Sequence, residues 1–258
     1  MSRLLLPLLL LGSTLLLLPL LSSSKPTHAP PAPSLDWDSF GFSLNGVSTD
    51  YMYLDTIKGS LASFDGAGGG AGLLRSGWSA TSNPPPYRPL IVPHGPLPLL
   101  PSSTVLNYGQ GLFEGLKAFR RADNTIVIFR PDKNAARCRK GCARLLMPPV
   151  PDATFVEAVS AVAAANARFV PPTGAGALYL RPLVFGSGGK LGVAASSEFT
   201  FVVWCSPVGN YFRTNGTDAG GGGGMLGEVS PITLLASKKY VRAAQGSVGG
   251  VKAIGNYA

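Results

Sequence analysis

An α+β fold is what this sequence predicts, on three observations. Short apolar or alternating runs bounded by Asn, Gly and Pro read as strands, and two stretches carry helical spacing instead. The two kinds do not alternate in the regular manner of a parallel α/β fold. A length of 258 residues with 45% hydrophobic side chains gives enough apolar surface for one large or two modest domains.

Residues 1–21, MSRLLLPLLLLGSTLLLLPLL, have one cation and then a Leu-rich run broken by Pro7 and Pro19, followed by the small residues Ser22–Ser24. This reads as a cleaved secretory signal rather than an anchor. The hydroxylated, acid-free stretch after it suits a transit peptide, so residues 1–35 are expected to be a targeting leader. Residues 36–130 look strand-rich around turns, with a Gly- and Pro-rich loop or insertion over 59–102. Residues 125–130, TIVIFR, form the next expected strand, and residues 133–146 a helix. On that helix Lys133, Arg137, Lys140 and Arg144 share one cationic face. Cys138 and Cys142, four apart, are expected to be reduced and buried. Asp152 is the expected N-cap of a second helix through about Phe169, with Phe155, Val159 and Val162 on one stripe. Residues 177–185, 199–205 and 231–236 read as strands.

Charge and composition narrow the chemistry. The net charge is +9, yet no basic run exceeds two residues and none is interleaved with aromatics, so nothing supports nucleic-acid binding. An odd count of three cysteines without a C-x-x-C pair builds neither a disulfide framework nor a zinc site. His28 and His94 lie in Pro-rich stretches and give no triad or metal centre, so no metal is expected. The sequon Asn215-Gly216-Thr217 is expected to be unoccupied, and the run Gly220–Gly224 is a glycine-rich surface insertion. Neither that run nor Gly186–Gly192 has the context or spacing of a phosphate loop.

Three constellations carry candidate chemistry. In Asn107–Lys117, NYGQGLFEGLK, three glycines permit tight turns and close backbone approach. In Tyr179-Leu180-Arg181 a phenol and a guanidinium two apart on a strand share a face, which suits a carboxylate; a polar strand face meeting water is the equal alternative. In Gly249–Ala258, GGVKAIGNYA, one lysine sits among small and apolar neighbours, which disfavour its charged form, as an imine-forming amine requires. An exposed loop lysine is the alternative that these residues alone favour.

Six segments occur in order: DWDSFGFSLNGVSTDYMY from Asp36 to Tyr53, then LNYGQGLFEGLKAFR, FRPDKN, LYLRPLVFG, SPVGNYF and GGVKAIGNYA. Together they resemble the branched-chain amino-acid aminotransferases, particularly plant-type members, within the fold-type IV pyridoxal-phosphate enzymes. The likeness covers about residues 36–258, apart from the 59–102 span and the glycine insertion. It implies a two-domain protein: a small N-terminal domain over 36–206, then an interdomain loop and the start of the cofactor-binding large domain over 207–258.

The resemblance also implies roles. Lys252 would form the Schiff base with pyridoxal 5′-phosphate, Tyr257 would bond the cofactor's phenolic oxygen, and Arg137 would bind its phosphate. Lys133, Lys140 and Arg144 would remain solvated charges. Phe113, Tyr179 and Tyr211 match the aromatic substrate pocket, and Arg181 matches the arginine that meets glutamate's distal carboxylate. Tyr108 matches a tyrosine supplied to the neighbouring subunit, which implies a homodimer. The implied reaction is reversible amino transfer between leucine, isoleucine or valine and 2-oxoglutarate, in a plastid or alternatively a mitochondrion, with no stable membrane association once the leader is removed.

In the family most of the larger domain follows that lysine, including the acid that pairs with the pyridine nitrogen. The 258 residues alone are therefore expected to fold poorly and to be nearly inactive. The alternatives are a truncated non-catalytic paralogue, a D-amino-acid aminotransferase and an aminodeoxychorismate lyase.

Overall fold

The structure, a computed structural model, describes residues 28–42, 44, 46–58, 78, 91–209, 233–237 and 239–257. The leader through residue 27, most of the 59–102 span, Tyr211, the sequon, the Gly220–Gly224 run and residues 231–232 lie outside the described residues.

Among the described residues seven strands form one antiparallel sheet. They are β1 Tyr51–Lys58, β2 Ile91–Pro93, β3 Gly111–Phe113, β4 Leu116–Arg120, β5 Ile126–Ile128, β6 Ala177–Gly186 and β7 Glu198–Val208. The path runs β2-β1-β7-β6-β4-β5, with β3 also paired to β6. The longest ladder joins β6 to β7, from Ala177 opposite Val208 to Gly186 opposite Phe199. Three α-helices among the described residues accompany the sheet: α1 Thr104–Tyr108, α2 Pro131–Arg144 and α3 Asp152–Ala165.

Period-two alternation divides the sheet into two faces. Leu178, Leu180 and Val184 of β6, with Phe199, Phe201, Val203 and Cys205 of β7, meet Phe155, Val159 and Val162 of α3 and Ala135, Cys138 and Cys142 of α2 in the main core. Phe201 sits at its centre, against the rings of Tyr53, Trp78 and Phe155. The opposite face carries a smaller cluster of Met52, Phe185 and Val202, to which Leu97, Leu99, Leu183 and Trp204 pack.

The expected elements occur with corrected ends. α2 begins two residues earlier than spacing indicated, because Pro131 at the first turn needs no N–H partner there. Pro151, not Asp152, is the N-cap of α3, with no side-chain cap bond; Asp152 lies inside the first turn and pairs with Arg139 of α2 at 3.0 Å. α3 stops at Ala165 rather than running to Phe169. The buried Asn166 carboxamide breaks it: Nδ2 donates to Val162 O and Tyr51 O, and Oδ1 accepts from Asp50 N and Tyr51 N, tying the helix end to β1. Residues 233–237 are exposed and outside the sheet, so the strand expected over 231–236 does not form in its described part.

All three cysteines are buried free thiols. Cys138 is raised well above its ordinary range, first by its bond with Cys142 and then by burial. Burial pushes the Cys205 thiol up to about 12.

Two outcomes follow from the core. Phe201→Ala is expected to cost about 3–5 kcal/mol, read as a lower urea midpoint with unchanged slope. The Cys205 thiol is protonated in the folded state where an unfolded one has ionised. Its contribution is therefore full below pH 9 and falls by about 1.4 kcal/mol per pH unit between 9 and about 12. Urea midpoints at pH 8 and 10.5 are expected to differ less in Cys205→Ala than in the unaltered protein.

Candidate functional site

The strand β3 organises the site. On one edge it pairs with β6, Phe113 facing Leu183. On the other it meets the chain's last described segment: Leu112 bridges Ala253, and Phe113 N donates to Lys252 O at 3.1 Å. Successive residues therefore point to opposite sides. Leu112 is buried on the helical side, where its Cδ2 lies 2.8 Å from where a Cβ on Gly141 of α2 would stand. Phe113 points to the other side. Glu114, the next residue, turns back toward α2 and is buried there.

Around Phe113 three expected residues converge. Lys252 Nζ stands 4.4 Å from the Phe113 ring centre and donates to Tyr257 Oη at 3.1 Å. The Tyr257 ring meets Phe113 edge-on at 4.8 Å. The Arg181 guanidinium lies 4.6 Å from the same ring and 5.0 Å from that of Tyr179. Phe113 thus meets two cations, each drawn to its π system. Arg181 Nη2 donates to Tyr179 Oη at 3.1 Å, as the spacing of two along β6 anticipated. Among the described residues Arg181 Nε is buried and finds no acceptor.

Arg137 approaches from α2. Its Nε donates to Glu114 Oε1 at 2.7 Å and its Nη2 to Glu114 Oε2 at 2.5 Å. The bond to Glu114 raises its pKa, against the opposing effect of burial, with a smaller contribution from Tyr257. Arg144 is exposed, as expected, and its Nη2 also donates to Gly246 O at 2.7 Å, tying the loop before Lys252 to the end of α2. Between that loop and α2 lies a cleft of about 360 Å³ bordered by Lys140, Arg144, Val248 and Val251.

Tyr108 is bonded elsewhere. Its ring is 46% exposed and its hydroxyl accepts from Gly192 N at 3.0 Å. Two motif glycines have distinct reasons. Gly109 ends α1 in the left-handed region at φ 65°, where side chains are strained. Gly115 leaves room for Tyr179, whose hydroxyl lies 2.0 Å from where a Cβ would stand.

Sequence reading missed Glu114, Asn134 and Trp204. Glu114 carried a usable signal, as a carboxylate within a glycine and aromatic motif in a chain with only 13 acidic residues. Trp204 had none, because only the β6–β7 register sets it opposite Arg181, its ring 5.9 Å from the guanidinium.

Gly115→Ala is expected to force the Tyr179 ring aside, break the Arg181–Tyr179 bond and cost about 1–3 kcal/mol. Thermal denaturation of Gly115→Ala beside Gly115→Ala/Tyr179→Ala checks this; the strain portion of the loss is expected to disappear in the double variant.

No family model matches the chain. It is 41% identical over 238 residues to Branched-chain-amino-acid aminotransferase 3, chloroplastic, of Arabidopsis thaliana, covering 92% of this chain and 48% of that protein. It is 42% identical over 224 residues to Branched-chain amino acid aminotransferase 2, chloroplastic, of Humulus lupulus, covering 87% of this chain and 46% of the relative. Branched-chain amino acid aminotransferase 1, mitochondrial, also of Humulus lupulus, is 39% identical over 224 residues, which is 87% of this chain and 47% of that protein. The chain spans about half the length of the curated relatives it matches. A solved branched-chain aminotransferase of Thermoproteus uzoniensis, with norvaline, is 22% identical at a TM-score of 0.42, covering 48% of this chain and 40% of that one.

Proposed function

This chain is a relative of the branched-chain-amino-acid aminotransferases, and from that premise we propose that the whole protein transfers an amino group between branched-chain L-amino acids and 2-oxoglutarate, using pyridoxal 5′-phosphate at Lys252. The observation that carries this reading is the convergence of an amine, a phenol and an aromatic ring. Lys252 Nζ lies 3.1 Å from Tyr257 Oη and 4.4 Å from the Phe113 ring centre.

The residues present fit such a cofactor. Lys252 offers a partly exposed amine on a segment clamped to β3 through its backbone. Arg137 spends Nε and Nη2 on Glu114, which leaves Nη1 for a phosphate. When bound, pyridoxal phosphate supplies an aldehyde that condenses with amines and a ring that withdraws electrons from the bonded carbon.

The chain's own residues do the rest. Lys252, once displaced by substrate, moves a proton at the substrate's α-carbon, first as base and then as acid. Tyr257 holds the amine and orients it. Phe113 and Tyr179 present aromatic surface to a branched side chain, and Tyr211 is proposed to complete that wall. Arg181, held beside Tyr179 through Nη2, takes the distal carboxylate when glutamate occupies the same pocket. One pocket then serves an aliphatic and an acidic side chain, with the charge confined to one edge.

A homodimer is proposed, with Tyr108 reaching the neighbouring subunit. Its support is an exposed group of Leu106, Tyr108, Leu191 and Val193, beside α1 and the β6–β7 turn. We also propose plastid targeting by residues 1–35, a small domain over 36–206 and the start of a larger one from 207, close to the end of β7 at Val208.

In the full-length protein, borohydride reduction with pyridoxal phosphate is expected to fix the label on Lys252. Label on another lysine would refute the assignment. Lys252→Ala is expected to lower transamination of L-leucine by at least about 10²–10⁴-fold, measured as single-turnover release of the 2-oxo acid.

A further inference from the structure

We propose that Glu114 is a positioning residue whose carboxylate fixes the Arg137 guanidinium so that its outer edge is set for a phosphate. This deepens the reading above and rests on it.

The pair is asymmetric. The Glu114 side chain is 1% exposed, whereas that of Arg137 is 51% exposed. Two side chains hold the carboxylate, and the residue's backbone is pinned as well. Arg137 bonds it through Nε and Nη2, Asn134 Nδ2 donates to Oε2 at 2.9 Å, and the residue's own backbone N donates to Pro182 O at 2.8 Å. Asn134 Nδ2 also donates to Gly115 O at 3.2 Å, binding α2 to the crossing between β3 and β4. The anchor is therefore part of the sheet, and the guanidinium is the part that reaches outward.

Two effects oppose each other. The negative charge of Glu114 weakens the pull of Arg137 on an anion. The bidentate fork also removes the rotamer freedom of a long side chain and fixes its plane. Position decides between them. The carboxylate is buried, and the fork consumes Nε and one Nη2 proton, which leaves Nη1 and the other Nη2 proton on a side chain that is half exposed. A phosphate arriving from solvent meets N–H donors already oriented and does not displace Glu114. Removing the acid would leave Arg137 free to wander, and a glutamine would set an NH₂ group against the guanidinium's own donors.

The test titrates the full-length protein, Glu114→Gln, Arg137→Met and the double variant with pyridoxal phosphate and with unphosphorylated pyridoxal, following the imine absorbance. Glu114→Gln is expected to weaken pyridoxal phosphate about 10- to 100-fold while pyridoxal changes less than about twofold. The double variant is expected to bind pyridoxal phosphate no worse than Arg137→Met. That comparison holds even if Glu114→Gln alone misfolds, because the pair of neutral residues leaves no buried lone charge. Equal weakening of both aldehydes would mean a purely structural role and overturn the proposal, as would tighter binding of pyridoxal phosphate by Glu114→Gln. An unaltered protein that forms no imine with either aldehyde overturns the assignment of Lys252 itself. Equal affinity for pyridoxal phosphate in the unaltered protein and Glu114→Gln, with Arg137→Met weaker, overturns only the role of Glu114.

Discussion

A single backbone pairing governs the arrangement of this molecule. The strand β3 has β6 on one edge and the Lys252–Ala253 segment on the other, the latter through the bond from Phe113 N to Lys252 O. Lys252 follows β7 by more than forty residues, many of them outside the described part. Without that pairing its amine would belong to a loop end. With it, the amine is held at the edge of a sheet whose interior is anchored by the long β6–β7 ladder.

The alternation of a strand then sorts the chemistry. Leu112 is committed to the helical core, Phe113 to the face shared with Arg181 and Tyr179, and Glu114 to α2. Three consecutive residues thus serve packing, cation–π contact and ion pairing. The arrangement tolerates little change, since a shift of one residue would put Glu114 or Leu112 in the place of Phe113. Burial of Glu114 makes this stricter. An unpaired carboxylate inside the fold is costly, so Arg137 and Asn134 are held to it whatever else they bind.

Helical and strand segments were readable because their signals are local. Alternation along 177–185 and spacing along α2 survive without knowledge of the partner. The ends were less legible for equally physical reasons. Asn166 stops α3 by bonding to β1, more than a hundred residues away in sequence, which no local pattern expresses. Asp152 would serve as a cap in isolation, yet pairing with Arg139 on α2 accompanies its place one position further into the helix. The run 231–236 has strand composition, but its described part is exposed and takes no place in the sheet. Composition does not supply a partner.

The sequence by itself determined the α+β class, the order of the motifs and the shared face of Tyr179 and Arg181, because two residues apart on a strand share a face in any register. It also marked Lys252 and Arg137, through segments whose spacing matches a known family. Only the tertiary structure decided that Glu114 is buried against Arg137, that Trp204 stands opposite Arg181, and that Arg144 holds the loop before Lys252. Those contacts join elements distant in the chain, so they depend on register and packing, and neither is written in the local spacing of residue types.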